Sequence, residues 1–268
     1  MIHIEDIVTQ PVEIETELKM LLKTKASLIF FDIGACTGED SIRYKMLFPH
    51  ARVFAFEPLP KNVQIMKSHF NMFKMEDIEI VEKALSDKEE ITEFHVSSGN
   101  PNINLREEEF TTLYPKEWNK SSSLLSPGTK LKEIYPWLNF ENVISVNTQT
   151  VDGFCAEKRI SSIDFIHMDV QGAEMNVLKG AEKTLPNISL IWLEVENVEL
   201  YESQPLGDEI HAFLISKGFK KIKDTARNKV DGDRLYLNSL RFKLLYPHLI
   251  KVYQFRDKIF RRLSHIFR

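Results

Sequence analysis

Residues 28–40 read LIFFDIGACTGED: four apolar residues run into Asp32, and Gly34 and Gly38 then bend the chain toward a polar, helix-compatible stretch. The spacing predicts a buried strand over 28–33, a tight turn, and a helix over 38–47. In a parallel sheet, ligands gather beyond the carboxyl ends of the strands. Glycine there permits positive φ and close backbone approach, and the following helix presents unpaired N–H groups.

Working outward, the same alternation repeats. After a helix at 12–23, with Pro11 at its first turn, the chain reads as strand 28–33, helix 38–47, strand 52–57, helix 60–73, strand 78–84 and strand 91–96. The stretch 97–128 is polar and reads as a long loop, followed by a short helix at 129–136. Alternation resumes as strand 143–149, helix 151–158, strand 163–168, helix 172–183, strand 188–195 and helix 206–217. A hairpin pairs FKKIKD with DRLYLN. Such a pattern predicts a single α/β domain: a mostly parallel sheet with helices on both faces and an antiparallel C-terminal edge.

The second strand, in VFAFEPLP (residues 53–60), ends at Glu57, placed to accept hydrogen bonds from both hydroxyls of a ribose. A P-loop is excluded because no lysine follows Gly38. A nicotinamide cofactor favours G-x-G-x-x-G, whose middle glycine approaches a pyrophosphate; Cys36 stands there. S-adenosylmethionine has no phosphates, and its sulfonium tolerates an acid such as Asp32. The plainer alternative stays open, in which the glycines merely shape a turn and Glu57 is solvated.

A second constellation lies in IDFIHMDVQGAEMNVLKGAEKTL, residues 163–185. A buried strand ends at Asp169, and Gly172 opens an amphipathic helix. Asp169, Gln171 and Glu174 crowd the first turn, where the helix dipole favours carboxylates and offers a purely structural account. In LIWLEVEN, alternation sends Glu194 and Glu196 to one side of the strand. Two carboxylates there are costly if buried unpaired, which places them at a site rim.

FFDIGACTGEDS, VFAFEPLPKN, EKALSDKEE, SSSLL, VNTQTVDGF, IDFIHMDVQGAEMNVLKGA and LEVENVELYESQP, in that order from Leu28 to Lys221, resemble the FkbM family of S-adenosylmethionine-dependent methyltransferases. The resemblance implies a class I methyltransferase fold and O-methylation of sugar hydroxyls in glycans or of secondary-metabolite scaffolds. Carried over by position, it implies cofactor contacts from Asp32, Gly34, Ala35, Gly38, Glu57, Pro58, Leu85, Ser86, Asp87 and Asp169, with Ser86 and Asp87 toward the adenine. His167 departs from the family pattern, which commonly has lysine there.

An alcohol needs its proton removed as it attacks, so a general base is expected. Asp169 is the first candidate, with His167 and Glu194 beside it; burial as a hydrogen-bonded core residue is the competing account of His167. The acceptor is expected to meet Gln171, Glu174, Glu196, Ser121, Ser122 and Trp118. Three strand-end carboxylates suit Mg²⁺ or Ca²⁺, yet their spacing is not diagnostic and no metal is expected. Two other functions stay open: a non-catalytic cofactor- or nucleotide-sugar-binding protein that retains the fold, and an NAD-dependent oxidoreductase.

Composition bounds the rest. The 268 residues, 43% hydrophobic and 28% charged, suit a soluble globular protein. The N-terminus lacks a basic region followed by an apolar one, so no signal peptide is read. The two cysteines show no metal spacing and are read as reduced thiols, which points to a cytoplasmic protein. From Ser239 to Arg268 the local charge is +7, leaving −11 on the rest, a distribution unlike that of a nucleic-acid binder. The expected organisation is an N-terminal helical extension over 1–27, a methyltransferase domain over 28–238 with a loop insertion at 97–128, and a basic amphipathic helix over 239–268. That helix suits peripheral contact at the inner face of a membrane, and equally packing on the domain or on a second copy.

Overall fold

A computed structural model describes residues 4–22, 25–99 and 119–245. In chain order the elements are α1 (Ile4–Val8), α2 (Glu15–Leu22), β1 (Leu28–Ile33), α3 (Glu39–Leu47), β2 (Ala51–Phe56), α4 (Pro60–Met72), β3 (Glu79–Val81), β4 (Ala84–Leu85) and β5 (Ile91–Gly99). Then come α5 (Thr129–Ile134), β6 (Leu138–Gln149), α6 (Val151–Lys158), β7 (Ile163–Met168), α7 (Glu174–Lys179) and β8 (Ile188–Glu196). The remainder is α8 (Gly207–Ser216), β9 (Phe219–Asp224), β10 (Asp231–Asn238) and α9 (Ser239–Leu245).

The main sheet has the order β3-β2-β1-β7-β8-β10-β9, the class I methyltransferase arrangement. Pairing is parallel from β3 through β8, and β10 runs antiparallel between β8 and β9. Nearly every residue of β1, β2, β7 and β8 is buried, as expected of strands covered on both faces. On one face Phe31, Phe54, Phe56, Ile166 and Leu193 pack with Phe154 of α6, Val177 of α7 and Leu214 of α8. On the other, Phe30, Val53, Phe165 and Trp192 pack with Leu18 of α2, Ile42 and Tyr44 of α3, and Met66 and Phe70 of α4.

From β1 the chain winds outward to β2 and β3, then returns to place β7 on the opposite side of β1. The order reverses at the β1/β7 boundary, where a ligand crevice is expected.

Several expectations need correction. The strand read at 78–84 splits into β3, in the main sheet, and β4, in a second sheet of order β4-β6-β5. The strand read from 143 starts at Leu138 and pairs with β5 along nearly its whole length. Within the stretch read as a loop, β5 extends to Gly99, and Ser123 bridges to His95. The helix read at 172–183 spans only Glu174–Lys179, because Gln171 and Gly172 adopt φ of 54° and 94° and form a left-handed turn before it. The helix read at 12–23 spans Glu15–Leu22, and a further short helix, α1, precedes it.

Candidate active site

The β1 and β7 tips touch directly. The Asp169 N–H donates to the Ile33 carbonyl at 2.9 Å, and Gly34 follows at φ +85°. A Cβ on Gly34 would stand 1.8 Å from the Asp169 carbonyl oxygen, so this turn demands glycine. Beyond the tips lie two adjoining chambers open to solvent, which share Lys120, Asp169 and Gln171 in their walls.

The first chamber follows the β1 and β2 tips. Gly34, Cys36, Glu57, Pro58, Asn62, Leu85, Phe94, Asn119 and Ser122 line it. Glu57 is buried, and its carboxylate accepts from the backbone N–H of Cys36 at 2.9 Å and of Leu59 at 2.8 Å. Burial pushes the Glu57 carboxyl up to about 8, against the pull of those two donors and of Asn62. Each oxygen holds one backbone donor, and Asn62 adds a third bond to the carboxyl. Asn119 braces this wall through Asn62, its Nδ2 donating at 2.5 Å.

The second chamber opens past Asp169 along β8. Ser121, Tyr135, Trp137, Leu200, Glu194, Glu196 and Asp231 line it. Gln171 ties the junction together, its Nε2 donating to Asp169 at 2.7 Å and to Glu194 at 2.6 Å. Burial, then the charges of Asp169 and Glu196, push the Glu194 carboxyl well up. Burial, then Glu174 and Asp169, do the same to Glu196. Among the described residues no group of three or more His, Cys, Asp or Glu is arranged to hold a metal ion.

Other predicted residues sit elsewhere. Asp32 was read as facing the ligand, but its buried carboxylate points under the sheet, accepting from Ser41 Oγ at 2.6 Å and from His167 Nδ1 at 2.8 Å. Strand alternation is the cause: Asp32 and His167 are neighbours on the face covered by α3, two residues beyond Phe30 and Phe165. His167 accordingly packs against Tyr44, its ring centroid 5.6 Å away, and does not line either chamber. Burial alone would lower the His167 imidazole, but the hydrogen bond and charge of Asp32, with Asp40 and Asp169 behind, raise it to about 9.

Ala35 is buried in the core, and Gly38 caps α3 where a Cβ would meet Met66 and Phe70. Ser86 and Asp87 bond to each other outside the first chamber, which Ala84 and Leu85 line instead. Glu174 is fully buried and shapes the turn, accepting from Val170 N at 3.1 Å and Gly172 N at 3.3 Å; it does not reach an acceptor. Trp118 lies outside the described residues.

Several lining residues escaped sequence reading, among them Asn62, Asp231, Lys120, inside a polar run, and Tyr135 and Trp137 of YPW. Two aromatics around a proline beside a polar loop were the available signal. Lys120 Nζ lies 3.3 Å from Glu39 Oε1.

The sequence model of the Methyltransferase FkbM domain matches residues 32–221. The 2-O-methyltransferase NoeI of Sinorhizobium fredii (strain NBRC 101917 / NGR234) is 35% identical over 233 residues, covering 86% of this chain and 87% of that protein. Methyltransferase sdnD of Sordaria araneosa is 25% identical over 209 residues, covering 73% and 74%. Among solved structures, the N-terminal domain of EvdMO1 with SAH bound has a TM-score of 0.43 at 11% identity, covering 86% of this chain and 81% of that one. That last likeness is too distant to carry an argument.

Proposed function

This chain belongs to the methyltransferase FkbM domain family, and from that premise we infer that it methylates a hydroxyl of a sugar, a glycan or a related metabolite. The support is one observation: two chambers of different chemistry meet at Asp169. The first suits S-adenosylmethionine. Glu57 lines it at the β2 tip, where ribose hydroxyls can meet its carboxyl, Leu85, Phe94 and Leu124 offer apolar contact to adenine, and Gly34 brings backbone against the ligand. A dinucleotide fits less well, because Cys36 stands in this lining where a nicotinamide fold carries the glycine that approaches a pyrophosphate.

S-adenosylmethionine, when bound, supplies an electrophilic methyl group on a sulfonium. The chain's residues do the remainder. Asp169 stands at the junction, where its carboxylate can accept the acceptor hydroxyl's proton. Gln171 fixes one of its oxygens, so the carboxylate is held and oriented before the acceptor arrives. Glu194 and Glu196 accept from further hydroxyls. His167 holds Asp32, and through it the β1 tip; it is a positioning residue in this reading. The basic segment ending at Arg268 is proposed to contact an anionic membrane surface or a second copy.

The test is Asp169→Asn. S-adenosylhomocysteine affinity by calorimetry should stay within about threefold, while turnover should fall on the order of 10²–10⁴, the range for loss of a general base. Unchanged turnover would remove Asp169 from that role.

A further inference from the structure

The second chamber shows which form of a sugar it admits. Its polar side chains present acceptors: Glu194 and Glu196 project from alternate positions of β8, and Asp231 pairs across from Glu196 on β10. Asp231 already accepts from Tyr135 Oη at 2.8 Å, and both donor bonds of Gln171 go to carboxylates. Glu196 is only 1% exposed, and its Oε2 has no hydrogen-bond partner. A buried carboxyl oxygen without a donor is costly, and Glu196 belongs to the wall of this chamber. Tyr135 and Trp137, edge to face with ring centroids 6.2 Å apart, line the same chamber beside these carboxyls. Aromatic surface beside a rim of carboxyls fits a polyhydroxylated ring, whose C–H faces are apolar and whose hydroxyls both donate and accept.

Phosphate has the opposite requirement. It is met by arginine, lysine or clustered backbone N–H groups. Among the described lining residues of this chamber Lys120 is the single cation, set against Asp169, Glu194, Glu196 and Asp231. Lys120 is also engaged with Glu39, on the side of the first chamber. Whether these carboxyls are ionised or hold their protons, they give a phosphate dianion no positive partner.

Resting on the sugar reading above, we propose that the acceptor enters as an uncharged glycoside already joined to its aglycone, not as a sugar 1-phosphate or a nucleotide-diphosphate sugar. The class of reaction that supplies the substrate is then a glycosyl transfer, which has removed the phosphate before methylation. Glu194 and Glu196 hold the neutral ring by its hydroxyls and set the specificity.

The experiment compares a panel of methyl hexopyranosides with the matching hexose 1-phosphates and uridine-diphosphate hexoses, using methyl transfer and binding to protein saturated with S-adenosylhomocysteine. The preferred glycoside should exceed its phosphorylated forms by on the order of 100-fold in kcat/KM, since like-charge juxtaposition costs several kcal/mol. In Glu196→Gln that preference should shrink about tenfold, with melting temperature tracking whether the variant folds. Equal or better turnover of a phosphorylated form overturns the proposal and leaves the sugar reading standing. If every sugar form is inert while a non-sugar alcohol is methylated, the sugar reading itself fails and takes the proposal with it.

Discussion

At Glu57, two backbone donors and a buried setting pull in opposite directions, and burial wins, holding the carboxyl near 8. Ribose hydroxyls that donate to the carboxylate should therefore bind more tightly as pH rises through that value. Glu57→Gln replaces one oxygen with an amide N–H facing a backbone N–H. Hydrogen bonds to a charged group are worth about 1.5–3 kcal/mol, so S-adenosylhomocysteine should bind about 10- to 100-fold more weakly by calorimetry; unchanged affinity would take Glu57 out of the cofactor site. His167 makes the opposite kind of pair. Its value of about 9 stands above the ordinary 6.5, so the pair's stabilisation is complete below about pH 6.5 and is lost as pH rises through 9. The upper limit is roughly 3 kcal/mol. Glu57 and Glu174, with carboxyls raised to about 8 and about 7, also lose stability as pH rises from about 4.5, so the diagnostic is the difference between proteins. In denaturant titrations from pH 6 to 10, His167→Lys should keep its stability at pH 9 where the wild type declines, and His167→Gln should lack the His167 limb. Identical curves for all three would leave the ion pair without energetic weight. Asp32 and His167 were both legible as polar residues at strand tips. Their direction was legible too, because each follows a buried phenylalanine by two positions: alternation carried the core account of His167, while Asp32 read as a ligand residue from its strand-end position.

Among elements, the segment from Asn119 to Ser126 decides how the two chambers meet. Ser123 exchanges backbone hydrogen bonds with His95 of β5 at 2.8 and 3.1 Å, and its Oγ donates to the Gln171 carbonyl at 2.7 Å. Tyr201, fully buried, donates to the Ser121 carbonyl at 2.7 Å and stands 3.2 Å from Gln171 Oε1. Tyr201→Phe keeps the ring and removes the tether, for about 1 kcal/mol of net stability. We expect faster amide hydrogen exchange over Ser121–Ser123 and a rise in acceptor KM of several-fold with kcat changed less. Unchanged exchange and KM would mean the segment is held by its β5 bridge alone. No local pattern announces such a tether, since it joins residues 80 positions apart. By contrast β1 and β7 were legible to the residue, because strands buried on both faces read as uninterrupted apolar runs. The second sheet was not. β4 is two residues long, and the first half of β6, LNFENV, is polar on its exposed side and indistinguishable from loop.

Over the whole molecule, charge and packing divide the chain at different places. The +7 of residues 239–268 suggested a cut near Ser239, yet α9 begins there and belongs to the core: Phe242 is 2% exposed against the sheet, and Arg241 Nε donates to Ser189 Oγ at 2.7 Å. Loss of a buried Phe costs about 3–5 kcal/mol. A chain ending at Asn238 should therefore melt well below one ending at Leu245, while the latter keeps S-adenosylhomocysteine binding. This sets the fair comparison for the remaining tail. With the body at −11, anionic vesicles repel everything except the basic segment, and repulsion and attraction both fade with salt. The intact chain should float with anionic vesicles at low ionic strength and sink at high, while the chain ending at Leu245 stays down in both. Should both stay down and the intact chain alone sediment as a dimer, the tail's apolar face is spent on a second copy. Should both sediment as monomers, neither use of the tail survives.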